Sequence, residues 1–261
     1  MKIYVTSFNR ASNGAISKLV QKMKDEGFWT NDYKEADYIL AVGDRIETFD
    51  FVLERFRENK KIIHLWAGEQ ANWETHDDVY RTGMTLMSCM QLCTNDKAKA
   101  RVKKICKSVN KQYVAVTVGN VMLDNFEIDE SASPNRKYDL ISYNPPSLLS
   151  RDEIFEELKQ IEKTIKFIDY IWIEPNGDDH SDIILSYTNL KNLSRSKFLG
   201  LLKNCDRFIT NSSCQYFEAP FLIKPGQIIP IGKRNSDRES KYADMTIPNA
   251  SENIMKIFRS L

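Results

Sequence analysis

Residues 207–220 have the sequence RFITNSSCQYFEAP. The apolar start predicts a short strand, and Ser212 and Ser213 follow it where a short helix is predicted to begin. A helix that starts directly after a strand presents free backbone N–H groups, which can bind an anion such as phosphate. Glu218 lies further along the predicted helix, where its carboxylate could accept hydrogen bonds from ribose hydroxyls. The alternative is that Ser212 or Ser213 only caps the helix.

The same alternation of strand and helix runs through the rest of the chain. Short apolar runs end at Gly43, Gly68 and Gly119, and stretches with apolar residues at helical spacing lie between them. The stretch from Phe126 to Lys137 interrupts this alternation with acidic residues followed by Ser, Pro and Asn, which predicts an interdomain linker.

Strands that alternate with helices form parallel sheets. We therefore predict an α/β fold of two Rossmann-like halves, with a ligand in the cleft between them at the carboxyl ends of the strands. The predicted boundaries are an N-terminal domain over residues 1–130 with candidate catalytic carboxylates, a C-terminal nucleotide-binding domain over 131–250, and a C-terminal helix over 251–261.

The composition excludes several classes of protein. Lys and Arg number 37 against 36 Asp and Glu, and this balance argues against a general nucleic-acid or membrane-surface binder. No apolar run approaches the roughly 18 residues of a membrane span, and the start of the chain is expected to be a strand and not a signal peptide. An odd count of five cysteines does not indicate a disulfide framework, so we expect a cytoplasmic protein.

Carboxylates follow two of the predicted strands. Asp44 and Arg45 come directly after Gly43, and Glu69 comes directly after Gly68. Asp78 lies on the next predicted helix, which we place over residues 77–90. Paired carboxylates at one edge of a sheet can serve as base and acid, although each alone is more often a solvated loop residue or part of a local ion pair.

Two further groups of residues give a weaker indication of a functional site. Residues 175–180, PNGDDH, predict a turn or a substrate loop in the second half, and the single His there does not indicate a metal site. Cys89 and Cys93 have helical spacing, and we expect both to be buried. No metal and no redox cofactor are expected.

In their order along the chain these motifs resemble the hydrolysing UDP-N-acetylglucosamine 2-epimerases. The first half of the chain has Gly-Asp-Arg, His-x-x-x-Gly-Glu and Asp-Asp-x-x-Arg, and the second half has Pro-Asn-x-Asp, Asn-Ser-Ser-Cys and the stretch from Ile231 to Glu239. The opening stretch from Thr6 to Arg10 is also similar to the phosphate-side loop of that family. The Asn-Ser-Ser block is the most specific part of the resemblance.

The resemblance implies the fold of glycosyltransferases of the B type and a UDP-sugar as the partner, with UDP-N-acetylglucosamine as the substrate. The C2 proton is removed and UDP leaves to give a glycal, and water then adds to give N-acetylmannosamine. The oligomeric state is left open, with a homodimer as one option. The implied catalytic residues are Asp44, Glu69 and Asp78, and the implied substrate-binding residues are Arg10, Arg45, Asn144, Asn176, Ser212, Ser213, Glu218, Arg234 and Arg238.

Two departures from the family pattern leave a second hypothesis open. The chain is short between the first predicted helix and Gly43, so at least one βα unit is expected to be absent. Asn144 stands where the family carries a His, and an amide cannot transfer protons near neutral pH. The alternative is a nucleotide-sugar-binding protein or compact glycosyltransferase in which the epimerase chemistry has changed or been lost.

Overall fold

The computed structural model describes residues 1–8, 10–72, 74–124, 126–166, 169–175, 177, 179–191, 193–238 and 247–261, without the side chains of residues 10 and 11. The chain divides into two units. The first comprises Met1–Gln70, Asp77–Asn125 and Arg238–Leu261, and the second comprises Ala71–His76 and Phe126–Asp237.

The first unit is built on a parallel sheet in the order β2-β1-β3-β4-β5-β6. Because β1 lies between β2 and β3, the direction of the crossover connections reverses there, and ligands of such sheets bind beside this reversal. The β-branched and other apolar residues of the strands are buried between helices on the two faces. The elements are β1 (Ile3–Thr6), α1 (Arg10–Asp25), β2 (Trp29–Thr30), β3 (Tyr38–Val42), α2 (Ile46–Arg57), β4 (Lys61–Leu65), α3 (Asp77–Met87), β5 (Met90–Cys93), α4 (Asp96–Ser108) and β6 (Ala115–Thr117).

The second unit repeats this plan on a parallel sheet in the order β10-β9-β7-β8. Two apolar cores cover the two faces of its sheet, one packed against α5 and the other against α7. The elements are β7 (Asp139–Ser142), α5 (Arg151–Thr164), β8 (Ile171–Trp172), α6 (Ser181–Leu185), α7 (Arg195–Asn204), β9 (Arg207–Thr210), α8 (Cys214–Phe217) and β10 (Ile228–Pro230).

The last helix, α9 (Ala250–Ser260), belongs to the first unit and packs against α1. Ile254, Met255 and Phe258 are fully or almost fully buried in the core that also contains Leu19 and Met23 of α1. At the edge of this contact, Lys22 pairs with Glu252 and Arg259 pairs with Glu26, the residue after α1. The first unit therefore draws its core from both ends of the chain.

Several local predictions were wrong. The helix predicted up to Met90 ends at Met87, and Met90–Cys93 forms the strand β5. Cys93 consequently lies on a buried strand, while Cys89 is exposed.

The predicted linker over 126–137 instead packs against α7. Its 3₁₀ turn over Glu130–Ala132 begins beside Gly200, and the Lys203 ammonium donates to the Glu130 carboxylate at 2.7 Å. Between α1 and β3 the chain forms only the two-residue strand β2, at the place where a βα unit was expected to be absent. No helix in the described ranges is long and apolar enough to cross a membrane.

Candidate functional site

Arg81 links the predicted catalytic carboxylates of the first unit. Its guanidinium donates to the carboxylates of Asp44 and Asp78, and it also reaches the backbone carbonyl of Glu69 at 3.2 Å. Arg81 is buried, at 4% exposure, while the two aspartate side chains are 28% and 26% exposed. A buried cation thus bridges two partly exposed carboxylates, one directly after the turn that follows β3 and the other in the first turn of α3. Burial lowers the pKa of Arg81, and the nearby charges of Arg238 and Arg101 lower it further.

Glu69 is held by two other groups. Its carboxylate accepts from the Thr94 hydroxyl and from Arg238 Nη1, the latter at 3.0 Å. Glu69 and Arg238 are both 5% exposed, so this is a buried ion pair. Thr94 directly follows β5, and Glu69 follows the turn after β4. Because β4 and β5 are neighbouring parallel strands, these two side chains lie at the same edge of the sheet.

His64 fixes the turn that carries Asp44. Its side chain is completely buried on β4, with Nε2 2.9 Å from the Gly43 carbonyl and Nδ1 3.0 Å from the Thr85 hydroxyl. Because a carbonyl only accepts, Nε2 carries the proton and Nδ1 accepts from Thr85. Burial lowers the pKa of His64 to about 4, so the ring is neutral near pH 7. A neutral ring that bridges the Gly43 turn to Thr85 on α3 is a positioning element and not a proton carrier.

Arg45 and Arg10 are the two remaining predicted residues of the first half, and Arg101 is an additional cation that was not predicted. Arg45 forms an ion pair with Glu47 at 3.4 Å at the start of α2. Arg101 of α4 reaches Asp78 at 3.4 Å, so Asp78 is shared between two guanidinium groups. Arg10 begins α1, and its side chain lies outside the described residues.

In the second unit, Asn144 lies at the carboxyl end of β7 beside β9. Its backbone N–H donates to Asn211 Oδ1 at 2.9 Å, and Asn211 Nδ2 donates back to the Asn144 carbonyl at 2.7 Å. Arg234 Nη1 also donates to that carbonyl at 3.1 Å. These bonds tie Asn144, Asn211 and Arg234 together where the crossover direction of this sheet reverses between β7 and β9.

The Ser212–Ser213 motif follows β9 as predicted, but its helix is shorter. α8 is a single turn over Cys214–Phe217, which is too short for a substantial helix dipole, so the hydroxyl and backbone donors remain as the anion-binding groups. The Ser212 hydroxyl accepts from the Cys214 N–H at 3.2 Å, which supports the capping alternative for Ser212. No side-chain cap bond is formed by Ser213, the N-cap residue.

Glu218 lies at the end of α8 and not within a longer helix. It is 6% exposed, and its carboxylate forms an ion pair with Arg195 at the start of α7. The nearby Glu218 charge adds to burial in raising the pKa of the Cys214 thiol. A ribose that binds Glu218 would therefore share its carboxylate with Arg195. Asn176, the remaining predicted residue, lies outside the described residues.

His64 and Arg81 belong to motifs found in the sequence, but no role was predicted for either residue. Thr94 was not predicted to belong to the site. The spacing Asp78-x-x-Arg81 is itself a signal, since side chains three residues apart on a helix are neighbours. Thr94 was missed because β5, the strand that it follows, was not recognised as a strand. Within the described residues, no three His, Cys, Asp or Glu side chains are grouped as metal ligands.

Comparisons with proteins of known sequence identify the family of the chain. The family model for UDP-N-acetylglucosamine 2-epimerase matches residues 5–261. Polysialic acid biosynthesis protein P7 of Escherichia coli is 24% identical over 242 residues, which cover 85% of this chain and 60% of that protein. A hydrolysing UDP-N,N'-diacetylbacillosamine 2-epimerase of Legionella pneumophila is 24% identical over 231 residues, which cover 78% of this chain and 58% of that protein. The chain thus spans 60% or less of the length of these two curated relatives.

Solved structures share the fold. The UDP-GlcNAc 2-epimerase of Methanocaldococcus jannaschii in complex with UDP-GlcNAc and UDP superposes with a TM-score of 0.73 at 15% identity, covering 100% of both chains. The UDP-N-acetylglucosamine 2-epimerase from Rickettsia bellii superposes with a TM-score of 0.65 at 12% identity, covering 100% of this chain and 96% of that one. The predicted α/β fold of two Rossmann-like halves and the predicted family are thereby confirmed. Since the family model matches residues 5–261, this chain belongs to the UDP-N-acetylglucosamine 2-epimerase family.

Proposed function

We propose that the protein is a hydrolysing nucleotide-sugar 2-epimerase that acts on a UDP-sugar, with UDP-N-acetylglucosamine as the substrate to test first. The observation that carries this proposal is the group of three carboxylates, Asp44, Asp78 and Glu69, arranged around Arg81 and Arg238 at the carboxyl edge of one sheet. Membership of the family supports it. The same residue types would give no such chemistry if they were scattered over the surface.

The chemistry needs a base and an acid that act on one sugar. A carboxylate removes the C2 proton while the C1–O bond breaks and UDP leaves, which gives the glycal. Water then adds its hydroxyl to C1 and a proton returns to C2 on the other face. Asp44, which is partly exposed and in contact with Arg81, would be the base, and Glu69 would be the second acid–base group.

The nucleotide is proposed to bind through the donors of the second unit. Ser212, Ser213 and Arg234 would hold the diphosphate, with Asn144 beside them and Glu218 at the ribose. The roles of Arg10, Arg45, Asn176 and Arg238 in substrate binding stay proposals of the same kind. Formation of a homodimer and a cytoplasmic location stay predictions; light scattering after gel filtration would test the dimer.

The decisive experiment is incubation with UDP-N-acetylglucosamine in heavy water. We expect release of UDP and an N-acetylmannosamine product that carries deuterium at C2. Asp44→Asn and Glu69→Gln keep the side-chain shape but lose proton transfer, so turnover should fall by about 10²–10⁴-fold. Asp50→Asn, on the exposed side of α2, is the matched control and should turn over normally.

The outcomes separate this proposal from other reactions of nucleotide sugars. Product that retains the original C2 hydrogen would show simple hydrolysis or glycosyl transfer and would refute the epimerase reaction. Calorimetry with UDP on Ser213→Ala tests the nucleotide site alone, and loss of one charge-assisted hydrogen bond should weaken binding roughly ten- to a hundredfold. Unchanged UDP affinity in that variant would remove Ser213 from the site.

A further inference from the structure

A groove runs along α4 in the first unit. Its volume is about 640 Å³, and the three carboxylates of the candidate site do not line it. Gln70 lines it, and so do Lys97, Arg101 and Lys104 of α4. Since residues three and four positions apart on a helix are neighbours, these three cations lie on one face of α4.

The lining of this α4 groove is cationic. Lys97 and Lys104 are exposed, and no acidic side chain of the described residues lines the groove. The acidic residue of α4, Asp96, accepts from the Thr117 hydroxyl at 2.7 Å and lies outside it. Cations gathered on one wall of a concave surface raise the local concentration of anions, so the α4 groove is suited to an anionic ligand.

Gln70 gives the groove a hydrogen-bond acceptor. Its side-chain Oε1 is buried and has no hydrogen-bond partner within the described ranges. A buried acceptor that lacks a partner is unfavourable, and a ligand hydroxyl would supply the missing donor. Ala100 and Ile105 add apolar surface that can cover the carbon skeleton of a ligand. The lining therefore fits a phosphate that is attached to a hydroxyl-bearing carbon skeleton better than it fits a bare phosphate ion.

Arg101 connects the α4 groove with the candidate site. One of its guanidinium nitrogens, Nη2, lies 3.4 Å from Asp78 Oδ2, and Asp78 also pairs with Arg81. The Arg101 side chain is 24% exposed, so an anion in the groove can reach it. The anion and the Asp78 carboxylate would then compete for the same guanidinium group.

We propose that the α4 groove is a regulatory site for a sugar phosphate, in which Lys97, Lys104 and Arg101 hold the phosphate, Gln70 accepts from a sugar hydroxyl, and the bound anion withdraws Arg101 from Asp78. The binding site stands on the groove alone. Its regulatory effect rests on the proposed function, because that effect takes Asp78 as part of the catalytic cluster.

Calorimetry with glucose 6-phosphate, with and without saturating UDP, tests the binding site. We expect one molecule to bind per chain in both cases, and inorganic phosphate to bind more weakly. Lys97→Met and Lys104→Met should each weaken the binding of glucose 6-phosphate roughly tenfold, because each removes one charge-assisted hydrogen bond. Lys103→Met is the matched control and should change nothing, since Lys103 is an exposed residue of α4 that does not line the groove.

Two other variants test the assigned contacts. Gln70→Leu should reduce the affinity for glucose 6-phosphate towards that for inorganic phosphate and leave the affinity for inorganic phosphate unchanged. Asp78→Asn should strengthen the binding of glucose 6-phosphate roughly two- to fivefold, because the ion pair that holds Arg101 is then lost. Thermal unfolding of each variant shows whether it is folded.

Turnover of UDP-N-acetylglucosamine tests the regulatory effect. Glucose 6-phosphate should lower kcat of the natural protein, because Asp78 then keeps Arg81 alone as its partner. The double variant Lys97→Met and Lys104→Met should have the natural kcat and should not respond to glucose 6-phosphate. A kcat of the natural protein that does not respond to bound glucose 6-phosphate would overturn the regulatory effect.

The remaining outcomes separate this inference from the proposed function. No binding of glucose 6-phosphate up to roughly 10 mM would overturn the inference. Binding that saturating UDP abolishes, or that is unchanged in Lys97→Met and Lys104→Met, would place the ligand elsewhere and overturn it as well. Binding with the expected variant pattern, but without turnover of UDP-N-acetylglucosamine, would refute the proposed function and leave the α4 groove as a sugar-phosphate site.

Discussion

Replacement of Arg81 by Met tests whether the carboxylate cluster is held by this one cation. The Met side chain fills much of the same space but removes the positive charge and all three of the contacts to Asp44, Asp78 and the Glu69 carbonyl. Breaking a buried ion pair by removing one partner typically costs about 3–5 kcal/mol. Water can re-solvate the two aspartates, which are 28% and 26% exposed, and so we expect about 2–3 kcal/mol.

Urea denaturation followed by circular dichroism measures this loss in the free energy of unfolding. The control is Arg136→Met, which removes an ion pair with Asp169 in which both side chains are more than half exposed. Such surface pairs contribute about 0–1 kcal/mol. If Arg81→Met costs no more than Arg136→Met, the argument that Arg81 neutralises the cluster is wrong. A large loss for Arg81→Met alone would support it.

Three further predictions concern single positions. Asn144→His should raise the rate of UDP release, with the added activity titrating near pH 6.5, because only the imidazole can exchange protons there. Fast turnover by the natural protein would show instead that the His is dispensable and that Asp44 and Glu69 suffice. The pKa of His64 is lowered to about 4, so the unfolded chain binds more protons at this residue between pH 4 and 6.5. His64 should therefore lower the stability by about 3 kcal/mol as the pH drops through this window, and His64→Gln should remove this part of the fall in acid denaturation. Gly68→Ala should destabilise the protein by roughly 2 kcal/mol or more in urea denaturation, because φ at this position is +78° and the added Cβ would meet the Ala98 carbonyl. The control is Gly226→Ala, which should be tolerated because the space around that position is open.

Much of the fold could be predicted from the sequence because the strands are short apolar runs that end at Gly or polar residues. The apolar run that ends at Gly43 is the strand β3, and the short strand predicted before Ser212 is β9. β5 could not be recognised, because its second residue, Gln91, is polar. Gln91 is fully buried, and its amide donates to the carbonyls of Thr85 and Ser88 at the end of α3. Tertiary hydrogen bonds of this kind leave no periodicity in the sequence.

The sequence predicts which residues belong to the candidate site better than it predicts which of them are in contact. Asp44, Asp78 and Glu69 were identified from motifs, yet the pairing of Glu69 with Arg238 joins residues 169 positions apart.

The position of α9 has a consequence for how the protein is made. Residues 1–124 are synthesised long before α9, yet the core around Leu19, Val118 and Val121 is completed by Ile254 and Phe258 from the last helix. Until those residues leave the ribosome, the nascent first unit exposes an apolar surface, while residues 126–237 already contain nearly all of the second unit. Domains generally fold in order from the N-terminus during synthesis. Here the unit begun first would be finished last, and chains stopped before residue 250 would expose that surface to chaperones and proteases.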